Sequence, residues 1–393
     1  MRLRTSLSLL AILSASCSWS QPDDTPDARS AETAGDVVNP PFGLTLDGIV
    51  KAVGDGKFSG SVLVAKGDEI TLAKGYGLAH VASGRFNTSL TVFDAGSLAK
   101  TFTAIAILQL AEAGRLTLDD PLSKHFDDLP PEKGVITIDQ ILTHSAGFEQ
   151  YHGGSDFSNL SREAALEEIF ATPLKFEPGA HYEYSNSGHT VLAAIIEDIS
   201  GQSWTEYLTA RIFTPAGMEF TGFYGDERWK ESGAAHGYEN GSDRASPYSW
   251  SGPQWVLIGN GGLVTNVIDL FHWHRALQTG KLLSEPWLEE LTQARLTSGG
   301  YLPNLYQGIR EIPQDQITLS YFGWRWQDLD QVLILEKGGA MDYGHTALLR
   351  YEPELDVLIV ILSNQWIEDA NGNLLRVPLM DAIQAAVVRE WRP

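Results

Sequence analysis

The sequence of 393 residues is poor in three features that would each place it in a particular class. Its single cysteine, Cys17, excludes a disulfide within the chain. No apolar run reaches 18 residues without polar breaks, so we predict no membrane-spanning helix. Lys and Arg number 28 against 50 Asp and Glu, giving a net charge of -22 with no basic stripe, which argues against a nucleic-acid partner. The 43% of hydrophobic residues nevertheless predict a large buried core.

The N-terminus, MRLRTSLSLLAILSASC, has the pattern of an export signal. Two arginines precede a short apolar run from Leu7 to Leu13, and small residues follow before Cys17. Cys17 resembles the lipid-attachment cysteine of bacterial lipoproteins, although Ser14 stands where that signal usually has Leu. Ordinary cleavage nearby, after Ser18 or Ser20, is the alternative. We therefore expect an exported bacterial protein, either periplasmic or an outer-membrane lipoprotein tethered through Cys17.

The remaining chain divides into a tether and one folded domain. Residues 21–42, QPDDTPDARSAETAGDVVNPPF, are rich in Asp, Pro, Ala and Thr and show no apolar period, as a flexible linker does. We accordingly assign residues 1–20 to the signal, 21–42 to the linker and 43–393 to the domain.

Strand patterns lie at both ends of the domain and helical patterns lie between them. A hairpin is predicted over residues 58–76, with its turn at 66–68, and four further strand patterns follow between residues 316 and 364. Helices are predicted at 97–114, 162–170, 189–200, 203–213, 266–278 and near the C-terminus. This order predicts an α+β fold with two lobes, in which an antiparallel sheet completed by the N-terminal hairpin is flanked by helices and faces a mainly helical lobe. A site is expected in the cleft between sheet and helical lobe.

Ser97 and Lys100 stand together at the start of the stretch DAGSLAKTFTAIAILQLAEAG, which has no charged residue between Lys100 and Glu112. Residues i and i+3 share a helix face, so the two side chains can touch. A lysine amine can remove the serine proton if burial lowers its pKa, and the helix start offers backbone donors to an oxyanion. The pair occurs once in the chain as Ser-x-x-Lys. Alone it is equally consistent with a capping serine beside a solvent-exposed lysine.

A nucleophile of this kind needs further partners, and the sequence supplies candidates in order. Tyr184-Ser185-Asn186 follows a Pro-Gly turn and precedes a helix, whereas Tyr238-Glu239-Asn240 has the composition of a surface turn, so we select the first. Two nearby ammonium groups would favour the phenolate of Tyr184 and make it a general base. Lys337-Gly338-Gly339 follows the apolar strand QVLILE and is the candidate for the second cation, although a strand end with a glycine turn would look the same.

The ordered elements Ser-x-x-Lys, Tyr-x-Asn and Lys-x-Gly resemble the serine hydrolases related to class C β-lactamases and D-alanyl-D-alanine carboxypeptidases. The stretches FSGSVLVAKG, GRLTLDDPLSKHF, ITIDQILTHSAGF, GNGGLVTNVIDL and YEPELDVLIVILSN extend the resemblance over roughly residues 43–391. The resemblance implies a penicillin-binding-protein-like fold and an acyl-enzyme mechanism that needs no cofactor and no metal.

The same resemblance implies a role for each matching residue. Ser97 would be the nucleophile, Lys100 its proton partner and Tyr184 the base that also protonates the leaving group. Asn186 would bind the substrate amide, and Lys337 would keep the site positive. The backbone N–H groups of Ser97 and Ala340, the latter following Gly339, would form the oxyanion hole.

One departure from the family pattern bears on the substrate. The usual third element is Lys-Thr-Gly, Lys-Ser-Gly or His-x-Gly, and Gly338 has no hydroxyl for a substrate carboxylate. This difference favours an esterase, peptidase or amidase acting on a small-molecule or peptide substrate over an efficient β-lactamase. The alternative is a sensor that acylates without turnover or holds a cell-wall fragment.

Overall fold

A computed structural model describes residues 35–297, 317–327, 332–341, 343–368 and 374–392, without the side chains of residues 231 and 232. The β-strands are β1 Val37–Val38, β2 Gly60–Lys66, β3 Glu69–Tyr76, β4 Leu78–His80, β5 Arg85–Phe86, β6 Phe93–Asp94, β7 Gly222–Phe223, β8 Tyr238–Glu239, β9 Ser242–Asp243, β10 Leu263–Thr265, β11 Leu296–Thr297, β12 Thr318–Leu319, β13 Trp324–Gln327, β14 Leu333–Ala340, β15 Thr346–Glu352, β16 Val357–Ser363 and β17 Gln365–Trp366.

The α-helices of the described residues are α1 Phe42–Gly54, α2 Ala99–Glu112, α3 Pro131–Gly134, α4 Ile138–Leu142, α5 Arg162–Ala171, α6 Asn186–Ser200, α7 Trp204–Leu208, α8 Thr214–Ala216, α9 Trp229–Ser232, α10 Val267–Gln278, α11 Glu285–Thr292 and α12 Arg376–Trp391. Short 3-10 turns span Gly96–Leu98, Leu122–Lys124 and Pro247–Ser249, and a π turn spans Thr209–Phe213. No helix in this part of the chain is both long and apolar enough to cross a membrane.

The main sheet of the described chain joins the two ends of the domain. Its order is β1-β3-β2-β16-β15-β14-β13-β12-β11, and its neighbouring strands pair antiparallel. The predicted N-terminal hairpin therefore completes the sheet, with β2 beside β16 from Val357↔Lys66 to Ser363↔Gly60. The predicted α+β architecture is confirmed.

Helices cover both faces of this sheet because the central strands are apolar on both sides. All seven residues of β15 and of β16 are buried. On one face, α1 and α12 pack through residues such as Leu46, Val50 and Ile383. The helical lobe packs on the other face and forms the larger core.

Helix α2 is the buried centre of the helical lobe. Twelve of its 14 residues are buried, from Ala99 to Ala111. A helix that is apolar on every side has no solvent face, which explains the absence of charges between Lys100 and Glu112. Its N-terminal end meets the sheet at β14.

The boundary predicted for the linker is too late in the chain. Val37 and Val38 pair with Ala73 and Leu72 at the edge of the sheet, and α1 begins at Phe42. Two short apolar residues suffice for an edge strand, but they give no period that a sequence pattern can register. Residues 35–42 thus belong to the fold, whereas the rest of the predicted linker and the whole predicted signal, Cys17 included, lie outside the described residues.

Candidate active site

The 3-10 turn Gly96–Leu98 carries Ser97 between a strand and the buried helix. Strand β6 ends at Asp94, whose carboxylate accepts a hydrogen bond from Gly96 N at 2.7 Å. Gly96 has φ of 52°, a left-handed conformation that glycine adopts readily. The turn fixes the serine rigidly at the helix start, where backbone N–H groups have no intrahelical partner.

Lys100 and Tyr184 both bond the Ser97 hydroxyl. Lys100 Nζ lies 3.1 Å from Ser97 Oγ, and the Tyr184 hydroxyl donates to the same oxygen at 2.8 Å. Lys100 Nζ also donates to the carbonyl oxygen of Asn260 at 2.8 Å and lies 5.0 Å from the centre of the Tyr184 ring. The three predicted catalytic side chains therefore meet at one atom, although Tyr184 lies 87 residues from Ser97 in the sequence.

Burial disfavours the charged forms of both Lys100 and Tyr184. Burial, followed by the charge of Lys337, holds the pKa of Lys100 well below its usual range. Burial also raises the pKa of Tyr184, against the smaller lowering effect of the hydrogen bond to Ser97. The predicted phenolate of Tyr184 is therefore not supported: loss of solvation outweighs attraction by ammonium groups. In the hydrogen bond to Ser97 Oγ the Tyr184 hydroxyl is the donor, and Lys100 is the group whose pKa is shifted towards the basic, neutral form.

The helix start at α6 positions the tyrosine. Ser185 caps this helix, its side chain accepting from Gly188 N, and its own N–H donates to Nδ1 of His144 at 3.1 Å. The His144 ring lies 4.7 Å from the Tyr184 ring, and burial holds the pKa of His144 well below its usual range. His144 thus supports Tyr184 as a neutral, buried ring.

The end of β14 packs directly on the serine turn. A Cβ on Gly339 would lie 2.0 Å from the carbonyl oxygen of Ala95 and 3.0 Å from Ser97 N, so only glycine permits this approach. A Cβ on Gly96 would in turn lie 2.9 Å from Ala340 N. The two backbones predicted to form the oxyanion hole, at Ser97 and Ala340, are thus side by side.

Two cavities open on either side of the reactive serine and share Ser97, Tyr184 and Ala340. The first, here named the lysine lobe, has a volume of about 310 Å³ and contains Lys337. Its wall is aromatic, with Tyr182, Tyr321 and Trp324. The second, the aspartate lobe, has a volume of about 380 Å³ and contains Asp156, Asn186, Tyr151 and Tyr343.

The remaining predicted residues are divided between these two lobes. Lys337, Gly339 and Ala340 line the lysine lobe, and burial lowers the pKa of Lys337 to about 8. Asn186 lies in the aspartate lobe as the first residue of α6. Its Oδ1 is buried and accepts no hydrogen bond from the described residues, which leaves it available to a substrate N–H.

Asn260 is a site residue that the sequence reasoning did not single out. Its carbonyl accepts from Lys100, while its side-chain amide donates to Thr190 Oγ1 and Val256 O, each at 2.9 Å. The glycine-rich loop GNGG around it was the available signal, because a polar residue between glycines suggests close backbone approach.

The fold and this site define a class: two-lobed proteins with a Ser-Lys-Tyr cluster at the start of a buried helix between sheet and helices. The chain belongs to the beta-lactamase family, whose family model, described as Beta-lactamase, matches residues 46–378. This family contains serine hydrolases related to the penicillin-binding proteins.

Individual relatives agree with this placement. PbpX of Bacillus subtilis is 34% identical over 235 residues, covering 60% of this chain and 58% of that protein. A second penicillin-binding protein of Bacillus subtilis is 28% identical over 330 residues, covering 79% of this chain and 68% of its own length. The match to PbpX thus spans less than two thirds of that protein.

Solved structures show the same fold. A penicillin-binding protein from Bacillus halodurans superimposes with a TM-score of 0.69 at 28% identity, covering 86% of this chain and 98% of that one. A D-amino acid amidase from Ochrobactrum anthropi gives a TM-score of 0.74 at 19% identity, covering 88% and 99%. The second similarity establishes the fold alone.

Proposed function

We propose that this protein is a serine hydrolase that cleaves an ester or amide bond through a covalent acyl-enzyme on Ser97. The observation that carries the proposal is the pair of hydrogen bonds that Ser97 Oγ makes with a buried lysine, at 3.1 Å, and with a buried tyrosine, at 2.8 Å. The Ser97 hydroxyl can lose its proton to the neutral amine of Lys100, and the neutral phenol of Tyr184 can then donate a proton to the leaving group.

Acylation moves one proton from Ser97 to the leaving group through Lys100 and Tyr184. The neutral amine of Lys100 takes the proton of Ser97 while Oγ forms a bond to the substrate carbonyl carbon. The resulting oxyanion accepts from the N–H groups of Ser97 and Ala340. The bond to the leaving nitrogen or oxygen then breaks, the leaving atom takes the hydroxyl proton of Tyr184, and Tyr184 regains a proton from the Lys100 ammonium.

Deacylation repeats the sequence with water as the nucleophile. Lys100 accepts a proton from the attacking water, the same backbone donors hold the second oxyanion, and Ser97 Oγ leaves with the hydroxyl proton of Tyr184, which regains one from the Lys100 ammonium. The products are a carboxylic acid and the released alcohol or amine. All of these steps use side chains and backbone of the chain itself.

The proposed substrate preference follows from the residues that line the lysine lobe. At position 338 the glycine lacks the hydroxyl that would assist Lys337 in binding the carboxylate of a penicillin. The aromatic wall of Tyr182, Tyr321 and Trp324 favours an apolar or aromatic leaving group. We propose esterase or peptidase and amidase activity ahead of efficient β-lactam hydrolysis, with a small-molecule or peptide substrate.

The location proposed for the protein still rests on the sequence. The arginines, apolar run and small residues before Cys17 support export to the periplasm, with tethering to the outer membrane if Cys17 is lipidated. Metabolic labelling with a fatty acid, compared between wild type and Cys17→Ala, would separate a lipoprotein from a cleaved soluble form.

Reaction with active-site reagents and a substrate panel tests the catalytic proposal. The protein is treated with a fluorophosphonate and with benzylpenicillin and weighed intact, and hydrolysis of p-nitrophenyl acetate, a chromogenic cephalosporin and D-Ala peptides is followed. Ser97→Ala is the test variant and Ser242→Ala, on the exposed strand β9, is the matched control. We expect one adduct and ester hydrolysis in wild type and control, both lost in Ser97→Ala.

Two other outcomes have distinct meanings. A stable penicillin adduct without turnover of any substrate would favour the sensor. The absence of any adduct, together with unchanged rates in Ser97→Ala, would exclude both forms of the acyl-enzyme proposal.

A further inference from the structure

The charged side chains that line the two lobes are of opposite sign. Lys337 lies in the lysine lobe, and Asp156 is the carboxylate among the described residues that line the aspartate lobe. His152, also in the aspartate lobe, adds no charge: its ring nitrogens bond Ser187 Oγ and Trp255 O, and burial lowers its pKa. A cleft that contains the reactive serine is therefore negative on one side and positive on the other.

The charge of Asp156 reaches the catalytic groups. Burial and Lys337 lower the pKa of Lys100, and Asp156 acts in the opposite direction. Asp156 also helps raise the pKa of Asp94, behind the dominant effect of burial, and Asp94 accepts from the serine turn at Gly96 N. Asp156 and Ser97 line the same cavity, so a substrate bound there can contact both.

The lobes also fix the direction of a bound substrate. The oxyanion donors at Ser97 and Ala340 hold the carbonyl at the junction, so the acyl part and the leaving group must occupy different lobes. In a short peptide the ammonium belongs to the acyl part and the carboxylate to the leaving part. Only one orientation then places the ammonium near Asp156 and the carboxylate near Lys337.

We infer that Asp156 is a specificity residue that binds a protonated amine on the acyl part, so that the natural substrates are amino-acid amides, esters or short peptides with a free α-amine. Asn186 supports this assignment, because it lines the same lobe and its Oδ1, which has no hydrogen-bond partner among the described residues, can accept an N–H. The inference rests on the proposed function, since an amine can select substrates only if Ser97 reacts with them.

Matched pairs of substrates test it. The p-nitroanilides of D- and L-phenylalanine are compared with their N-acetyl forms, in wild type, in Asp156→Asn and in the exposed control Asp119→Asn. In at least one stereochemical series, we expect wild type and control to prefer the free amine by about tenfold or more in kcat/KM. Asp156→Asn should reduce that ratio to about threefold or less; the ratio is the readout because any change in the pKa of Lys100 affects both substrates alike.

A binding measurement covers the case in which anilides turn over too slowly. Phenylalaninamide and N-acetylphenylalaninamide of both series are tested as inhibitors of p-nitrophenyl acetate hydrolysis. The free amide should bind more tightly, and its advantage in wild type should fall as pH rises through the amine pKa of about 7.7. This pH dependence requires no variant and therefore stands even if Asp156→Asn fails to fold.

The inference is overturned if the wild type hydrolyses or binds the free and N-acetyl compounds equally well. It is also overturned if Asp156→Asn keeps the wild-type preference for the free amine. If p-nitrophenyl acetate is hydrolysed through Ser97 in that case, the proposed function survives and only the substrate class is wrong. If Ser97 takes no label and no ester is hydrolysed, the proposed function and the inference fail together.

Discussion

Replacement of Lys337 by methionine should stabilise the protein while weakening its binding of anionic substrates. Burial lowers the pKa of Lys337 from 10.5 to about 8, so at pH 7 the lysine is charged in a place that disfavours charge. No ion pair with an acidic group forms at this ammonium within the described residues. At 1.36 kcal/mol per pKa unit, the shift corresponds to about 3 kcal/mol of lost stability. Solvent in the cleft reduces the measurable gain to about 2 kcal/mol.

The pH dependence of this gain has a definite sign. Between pH 8 and 10.5 the unfolded state holds the Lys337 proton and the native state does not, so the stability of the wild type rises with pH in this interval. Lys337→Met lacks this dependence. The free energy of unfolding of the variant should therefore exceed that of the wild type at pH 7, and the difference should shrink towards zero above pH 10.5.

Urea denaturation at pH 7, 9 and 11 measures this difference directly. Lys51→Met is a suitable control, because Lys51 lies on α1 with its side chain 56% exposed. The reasoning is refuted if Lys337→Met is less stable than the wild type, or if the difference in their free energies of unfolding does not change with pH. Either result would show that Lys337 is not an uncompensated cation and would remove the charge assigned to the lysine lobe.

Three further changes probe the reacting groups. Lys100→Met should lower the acylation rate by about 10²- to 10⁴-fold in stopped-flow assays. The acylation rate of the wild type should rise with pH and level off as Lys100 loses its proton. A rate that falls with pH would contradict a neutral amine as the base. Gly338→Thr should increase the rate of benzylpenicillin acylation by about tenfold, measured by intact mass over time; an unchanged rate would mean that the missing hydroxyl does not limit this reaction. Gly339→Ala should abolish activity on every ester, because its Cβ would lie 2.0 Å from Ala95 O, and retained activity would refute the close approach of β14.

Much of the fold could be predicted from local patterns because its elements have clear periods. The hairpin of β2 and β3 turns between Lys66 and Glu69 as the Lys-Gly-Asp signal indicates, and the C-terminal strands pair in sequence order. The strand at Val37–Val38 could not be predicted, since two residues carry no period and their pairing depends on partners 34 and 36 residues away.

The candidate site was also predictable only in part. Ser97 and Lys100 could be paired from their spacing, and the order of Tyr184 and Lys337 along the chain suggested partners. The protonation of Tyr184 could not be inferred, because it depends on the balance between burial and nearby charge, which only a three-dimensional arrangement determines.

Asp156 illustrates a different limit of sequence reasoning. It lies in a polar loop, HGGSDFSN, whose composition indicates only a surface segment. Its proximity to Ser97 arises from the fold of the aspartate lobe, in which residues from β14, α6 and this loop come together.

The most direct test of the central claim is to quench the protein in acid during turnover of p-nitrophenyl acetate and locate the acetyl group by peptide mass spectrometry. The account predicts an acetyl ester on Ser97 that accumulates in the steady state and is absent from Ser97→Ala. Hydrolysis that proceeds with no adduct, or with the acetyl group on another residue such as Ser145, would contradict it.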